Sequence, residues 1–225
     1  MAGRETPLVT GGYYHVFNRG VAKMPTFTSI SDYKRALLTL EYYRFTNPPL
    51  KLSKYKDLTP EDRNKIDLEL GYKNNRLVDI ISYVFMPNHF HFLLRQNTDG
   101  GVSKFIGQFS NSYTRYFNTK NKRVGSVFQG VFKSVEVESE QQLIHLSRYI
   151  HLNPYVSNVV KINGLASYPW SSLPVYLDGQ NNFTDNKIVT SHFSERFSYK
   201  DFVFNHSDYA RELEIVKHLV IDIED

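Results

Sequence analysis

The chain has 225 residues, and its 27 lysines and arginines outnumber its 23 aspartates and glutamates, which gives a formal net charge of +4. Hydrophobic residues make up 41% of the chain, enough for a core that needs no disulfide or structural zinc. Because the sequence contains no cysteine, thiolate zinc sites, iron–sulfur clusters, disulfide scaffolds and cysteine nucleophiles are excluded.

The composition also bears on location and partners. No apolar run approaches the roughly 20 residues of a membrane helix, and the first residues lack the apolar stretch of a signal peptide. We therefore expect a cytoplasmic protein with no membrane partner. A basic excess combined with 15% aromatic residues suits a nucleic-acid partner, because cations neutralise phosphates while rings stack on unpaired bases.

The first third of the chain contains a strand signal, a helix signal and a basic stretch. Residues 13–17 are aromatic and β-branched, which predicts a strand. From Ser31, apolar residues recur at helical spacing until Asn47-Pro48-Pro49, which predicts a helix. In the lysine-rich residues 51–75, Thr59-Pro60 is typical of a helix start. We interpret residues 48–76 as a surface insertion with one short helix.

The middle of the chain predicts a hairpin and a long helix. Residues 78–85 and 89–94 have strand-like composition, and Pro87-Asn88 between them is a turn signal. An amphipathic helix should follow, with the apolar stripe Val102, Phe105, Ile106, Phe109, Tyr113, Tyr116 and Phe117.

The last third predicts a strand, a capped helix and a tail. Residues 127–137 alternate like a strand. Ser139 and Gln142 can form a capping box, in which the Gln142 side chain reaches back to the cap, and Pro154 should end the helix at Asn153. We expect one domain over residues 1–178 and a helical appendage over 179–225, ending in a helix at 215–223.

This element order predicts the fold class. Strand, helix, strand, strand, helix, strand is the ferredoxin-like α+β pattern, an antiparallel sheet with helices on one face. The helix from Ser139 is then an extra element that covers or edges the open face.

Two histidines on one predicted strand could bind a metal ion. His89 and His91 are alternate residues, so their imidazoles project to the same face of the sheet. Spacing alone leaves open that they are two partly exposed histidines beside a turn.

A helix face further along carries a second set of polar side chains. His145, Tyr149 and Asn153 are each four residues apart, so they line one side of the helix. Tyr149 could be a nucleophile, but the spacing is equally compatible with a half-buried packing residue and a helix-ending asparagine.

Five motifs in order resemble the single-tyrosine HUH transposases, especially the REP-associated tyrosine transposases. They are residues 14–20, 86–94, 112–118, 125–130 and 149–154. The predicted insertion and the C-terminal tail lie outside these motifs.

The resemblance implies a role for particular residues. His89 and His91 take the place of the two metal-binding histidines of the HUH motif, Tyr149 matches the nucleophile, and Asn153 matches a third, oxygen-donating metal ligand. Two imidazoles with one hard oxygen ligand would suit Mg²⁺ or Mn²⁺. The implied activity is cleavage and rejoining of single-stranded or hairpin DNA through a 5′-phosphotyrosine intermediate.

Basic residues near these motifs could contact DNA phosphates, although an ordinary solvated face is an equally good interpretation of any single one. The family often carries arginine after its Gln-Gly pair, whereas this chain has Val131, so one backbone contact is in doubt. The candidates are Arg19, Lys104, Arg115, Lys122, Arg123 and Lys133.

Two other functions remain open at this stage. One is a non-catalytic regulator that binds single-stranded nucleic acid. The other is a metal-dependent phosphodiesterase that uses water in place of Tyr149. The sequence also leaves open whether the protein is a monomer or a homodimer, and whether the tyrosine serves the metal site of its own subunit.

Overall fold

The fold is built on a four-stranded antiparallel sheet. A computed structural model of the protein describes residues 7–73, 75–179, 183–194 and 198–205, and within these ranges the strands lie in the order β2-β3-β1-β4. Their bounds are β1 (Tyr13–Arg19), β2 (Val78–Met86), β3 (His89–Gln96) and β4 (Lys133–Val137).

Helices cover both faces of this sheet. The described ranges contain α1 (Ile30–Tyr43), α2 (Leu52–Asp57), α3 (Pro60–Lys73), α4 (Gly101–Asn121), α5 (Glu140–Val156), α6 (Ile162–Leu165), α7 (Leu173–Asp178), α8 (Lys187–Thr190) and α9 (Tyr199–Phe204), with a 3₁₀ turn at Val21–Lys23. None of these described helices has the length and apolarity that crossing a bilayer would require.

The alternation of side chains along β3 decides what each face does. Phe90, Phe92 and Leu94 point into a core that also contains α1 and α4 residues such as Leu40 and Phe109. The intervening residues, His89, His91 and Leu93, point to the other face, where Leu93 packs with residues of α5.

Helix α5 lies on this second face because its apolar side chains need cover. Leu143, Leu146 and Ile150 are buried there together with Ile81 and Val84 of β2. Burying one such side chain stabilises the fold by about 1.5–3 kcal/mol. Val189 of α8 and Val203 of α9 join the same core. The predicted fold class, an antiparallel sheet with helices on one face and an additional tyrosine-bearing helix, is confirmed.

Two predicted element bounds were wrong. The strand predicted over 127–137 is regular only from Lys133, because Gly130 adopts φ +32° and the preceding segment joins β1 by an isolated bridge between Gly20 and Phe128. The predicted insertion contains two helices, α2 and α3, where one short helix was expected.

The start and end of α5 also differ in detail. Ser139 accepts from the Gln142 amide as predicted, but the Gln142 Oε1 accepts from the amide of Glu138, one residue before the cap. The helix continues past Pro154 to Val156, and the Ser157 amide closes the last turn onto the Asn153 carbonyl. The predicted helix at 215–223 lies outside the described residues, and the domain boundary at 178/179 stays a prediction.

Candidate active site

Strands β1 and β3 place three histidines side by side. The antiparallel register sets His91 opposite Phe17 and His89 opposite Arg19, and His15 lies two residues before Phe17 on the same face. The rings of His89 and His91 are 5.0 Å apart between centroids, and those of His15 and His91 are 5.1 Å apart.

Hydrogen bonds fix the orientation of His89 and His91. The Nδ1 of His89 lies 2.6 Å from the Asn88 Oδ1 in the β2–β3 turn, and since a carbonyl oxygen only accepts, His89 donates through Nδ1. The Nδ1 of His91 lies 3.0 Å from the Nε2 of His15. Metal-binding histidines are usually held in this way, by a partner on the nitrogen that does not bind the metal.

Burial affects the charge of His91. Its side chain is 1% exposed. Desolvation, together with the neighbouring His89, His15 and Arg19, holds the pKa of His91 well below its usual value. The imidazole is therefore neutral at neutral pH, which is the form that binds a metal ion.

Tyr149 reaches the histidines from α5. Its ring centroid lies 5.7 Å from that of His91 and 6.3 Å from that of His15. The tyrosine ring makes an edge-to-face contact with both imidazoles. Its side chain is buried. The structure thus brings Tyr149, His89 and His91 together on one face of the sheet, as the motifs predict.

Asn153 lies one turn further along α5, about 6 Å along the helix axis from Tyr149. It is buried, and its Oδ1 accepts from the Ser157 hydroxyl at 3.4 Å. No group of three or more histidine, cysteine, aspartate or glutamate side chains within the described residues could hold a metal ion. The metal site predicted from the motifs combines the imidazoles of His89 and His91 with the amide oxygen of Asn153. The roles of all three residues as ligands stay a prediction.

A buried polar network anchors α5 beside the site. His151 Nδ1 lies 2.7 Å from the Tyr199 hydroxyl, and its Nε2 lies 2.7 Å from the Ser172 Oγ. The Tyr199 hydroxyl also lies 2.9 Å from the Ser147 Oγ. Burial lowers the pKa of His151 to about 3, so this histidine is a neutral structural group.

The candidate DNA-contacting residues fall into two groups. Arg19 lies opposite His89 in the sheet, and the Lys133 Nζ lies 5.7 Å above the ring of Phe17, which itself stacks 5.7 Å from His91. The other candidates lie on α4 or just after it, in the layer on the opposite side of the sheet: Lys104, Arg115, Lys122 and Arg123.

Asn88 and Phe17 belong to this cluster although no sequence pattern indicates it. Asn88 was recognised only as a turn residue, and nothing in the sequence indicates that it orients His89. From the sequence, His15 could either approach the face that carries His89 and His91 or be one strand histidine among others. The register between β1 and β3 brings it into contact with His91.

One family model matches the middle of the chain. Residues 62–153 match the family model described as transposase IS200 like, a stretch that contains His89, His91 and Tyr149 and ends at Asn153. No curated protein matches the chain.

We report two matches among solved structures, of which only the first has a TM-score above 0.5. A REP-associated tyrosine transposase bound to a REP hairpin is 15% identical, with a TM-score of 0.54 over 82% of this chain and 94% of that chain. The tRNA(His) guanylyltransferase from Saccharomyces cerevisiae is 12% identical, with a TM-score of only 0.41 over 99% of this chain and 84% of that chain. The resemblance to tyrosine transposases is therefore confirmed, by the IS200-like family match over residues 62–153 and by the shared fold.

Proposed function

We propose that the protein is a metal-dependent DNA transposase that cleaves and rejoins single-stranded or hairpin DNA, with Tyr149 as the nucleophile. The observation that carries the proposal is the position of the Tyr149 ring, 5.7 Å from that of His91, although 58 residues separate the two along the chain. A tyrosine packed against the HUH histidines is the arrangement that the motif resemblance implies.

The covalent step transfers a phosphoryl group from a 3′ oxygen of the DNA to the Tyr149 oxygen. The Tyr149 oxygen attacks the phosphorus of the scissile phosphate and loses its proton, the bond from phosphorus to the 3′ oxygen breaks, and that oxygen takes up a proton to become a 3′-hydroxyl. The 5′-phosphate stays on Tyr149. The bond energy is thereby kept, so that another 3′-hydroxyl can reverse the step without ATP.

A phenol needs help to act in this way. With an ordinary pKa near 10, only about a thousandth of a tyrosine is ionised at pH 7. Mg²⁺ or Mn²⁺ held by His89, His91 and Asn153 would supply Lewis-acid stabilisation of the phosphate oxygens. The hydrogen bonds between His15 and His91 and between His89 and Asn88 support this role, because they keep both imidazoles in fixed orientations.

The single-chain geometry bears on the oligomeric state. Tyr149 and the histidines come from the same chain, so a monomer contains the tyrosine and the histidines together. This supports use of the tyrosine in cis, and it makes a homodimer unnecessary for the cleavage step.

Arg19 and Lys133 are the cations that we assign to the reacting DNA strand. Arg19 adjoins His89 across the sheet, and Lys133 adjoins Phe17, so both can reach a phosphate next to the histidines. The hairpin bound by the REP-associated transposase is the precedent for a folded DNA substrate here.

The proposal is tested by incubating the protein with labelled hairpin DNA and Mn²⁺ and resolving covalent adducts on a denaturing gel. We expect a metal-dependent adduct that Tyr149→Phe abolishes. Binding without any cleavage would indicate a non-catalytic regulator. Cleavage that survives Tyr149→Phe but is lost in His89→Ala would indicate a phosphodiesterase that uses water.

A further inference from the structure

A large cleft lies on the sheet face opposite Tyr149, between α1, α4 and residues 46–53. Its volume is about 890 Å³. Along α4 it continues into a second cavity of about 570 Å³, with which it shares Asn111, Arg115 and Thr119. We call the two cavities together the α4 groove.

The groove is long enough for several phosphates. The lining follows α4 from Lys104 to Lys120, a step of 16 residues that corresponds to about 24 Å along the helix axis, and Arg123 lies just beyond the end of the helix. A single nucleotide would fill only a part of that length.

The charge of the α4 groove is uniformly positive. None of the described residues that line it is acidic, whereas the lining contains Arg35, Lys51, Lys104, Arg115, Lys120 and Arg123. Lys120 forms an ion pair with the buried Asp32, with 2.6 Å between Nζ and Oδ1. Lys51 and Arg115 are exposed. Lys104 is also exposed, and although its ammonium donates to the neutral Thr46 carbonyl, no carboxylate neutralises its charge within the described lining.

Two residues that line the first cavity, Arg35 and Gln108, each have a buried polar atom without a hydrogen-bond partner. The Nε of Arg35 and the Oε1 of Gln108 make no hydrogen bond within the described part of the chain. The guanidinium of Arg35 is held in place by the Ser112 Oγ at 3.3 Å and by the Tyr116 ring at 5.5 Å. Arg35 therefore places a fixed positive charge in the wall of the cavity, which favours an anionic ligand.

One wall of the groove is an ordered part of the insertion region. The Tyr42 hydroxyl donates to the Leu50 carbonyl at 2.8 Å, and the Leu52 amide donates to the Tyr43 hydroxyl at 3.3 Å. Lys104 donates to the Thr46 carbonyl at 3.2 Å, which ties the wall to α4. A small core beneath it consists of Tyr42, Phe45, Leu52, Tyr55 and Leu70.

We propose that the α4 groove binds the phosphodiester backbone of the DNA outside the reacting segment, and that residues 46–53 adapt this chain for that contact. These residues lie outside the five motifs and outside the matched stretch 62–153. The inference rests on the proposed function, since it assigns a second contact to the same DNA partner. The length of the groove, its positive charge and the absence of acidic residues among its described lining all favour a nucleic-acid strand over a free nucleotide.

The test measures binding, which does not require cleavage. Fluorescence anisotropy with a labelled single-stranded DNA of about 24 nucleotides would be recorded over a range of salt concentrations. The groove variant is Lys104→Ala with Arg115→Ala, and the matched control is Lys161→Ala with Lys187→Ala, two exposed lysines outside the groove. Lys51→Ala tests the insertion wall with a single exposed change.

We expect the groove variant to lose affinity by roughly ten-fold and its salt slope to fall by about 1.4, since each lost phosphate contact removes about 0.7 from the slope for single strands. Lys51→Ala should lower the slope by about 0.7, and the control should match the wild type. Equal losses in the groove variant and the control, or no loss in either, would overturn the inference.

Competition with a free nucleotide distinguishes a site for a DNA strand from a site for a single phosphate group. Deoxyadenosine monophosphate at about 1 mM should leave the strand bound, because it offers one phosphate group where the strand offers many. Full displacement would overturn the assignment to a strand. If the groove variant loses binding while the wild type forms no covalent adduct, the proposed function fails and the groove assignment stands.

Discussion

The ring of Tyr149 on α5 meets the ring of His91 on β3 at 87°, with 5.7 Å between the centroids. His91 in turn shares a hydrogen bond of 3.0 Å with His15 on β1. A helix and two central strands therefore meet at one point, and any shift of α5 changes the distance between the phenol and the histidines.

Under the proposed function, removing the imidazole of His89 or of His91 should weaken metal binding. We expect His89→Ala and His91→Ala each to lower the affinity for Mn²⁺ by at least 10–100-fold, because a divalent ion would lose one of its nitrogen ligands. Isothermal titration calorimetry of the full chain measures this. His192→Ala, at an exposed position, is the control, and an unchanged affinity in all three variants would refute the assignment of the metal site.

The residues that orient these imidazoles should matter nearly as much. Asn88→Ala removes the acceptor that holds His89 Nδ1 at 2.6 Å, so the ring can rotate. We expect a loss of roughly 10-fold in Mn²⁺ affinity. A small loss of thermal stability should accompany it, because the Asn88 amide nitrogen also donates to the Lys23 carbonyl at 3.2 Å. A matched control is Asn186→Ala, which lies at the start of α8 away from the turn. Equal affinities in the two variants would show that Asn88 has no orienting role.

The polar network at α9 should stabilise α5. Tyr199→Phe removes the hydroxyl that bonds His151 and Ser147 and leaves buried polar atoms without a partner. We expect a loss of about 1–3 kcal/mol in the free energy of unfolding, measured with urea, and a single cooperative transition. An appendage that folds separately from residues 1–178 would instead give two transitions, with the main one unchanged.

The ion pair between Asp32 and Lys120 should make stability depend on acid pH. Burial alone would raise the pKa of Asp32, but hydrogen bonds from Lys120, Thr28 and Ser29 outweigh it and hold this pKa below its ordinary value. A carboxyl whose folded pKa is depressed stabilises the fold above its unfolded pKa of about 4, and this contribution is lost as the pH falls further.

The corresponding variant is Asp32→Asn, which keeps the shape of this fully buried side chain but removes its charge. We expect it to lower the free energy of unfolding at pH 7 by about 1–3 kcal/mol and to flatten the pH dependence below about pH 4. Asp99→Asn, at an exposed position, should follow the wild-type curve. A wild-type slope in Asp32→Asn would contradict this account.

The sequence could predict the face of the sheet on which the histidines lie, because alternation along a strand is a local rule. The alternation placed His89 and His91 on the same face of the sheet, as the structure has them. It also predicted that a helix begins at Ser139 and carries Tyr149, because capping and helical spacing are local as well.

Contacts between elements that are distant along the chain could not be predicted from these local rules. The bond from His15 to His91 depends on the register of β1 against β3, which several pairings of the same residues could satisfy. The continuation of α5 past Pro154 depends on hydrogen bonds and packing at its end, which outweigh the proline signal. The α4 groove combines residues of α1, α4 and the insertion region, and no local pattern indicates that these meet.

The most direct test of the account is to locate the covalent bond to DNA. After reaction of the full chain with hairpin DNA and Mn²⁺, nuclease and protease digestion followed by mass spectrometry would identify the modified peptide and the end of the nucleotide attached to it. We predict a 5′-phosphonucleotide on Tyr149, absent when the metal is chelated. Attachment at another residue, or cleaved DNA with no protein adduct, would contradict the account.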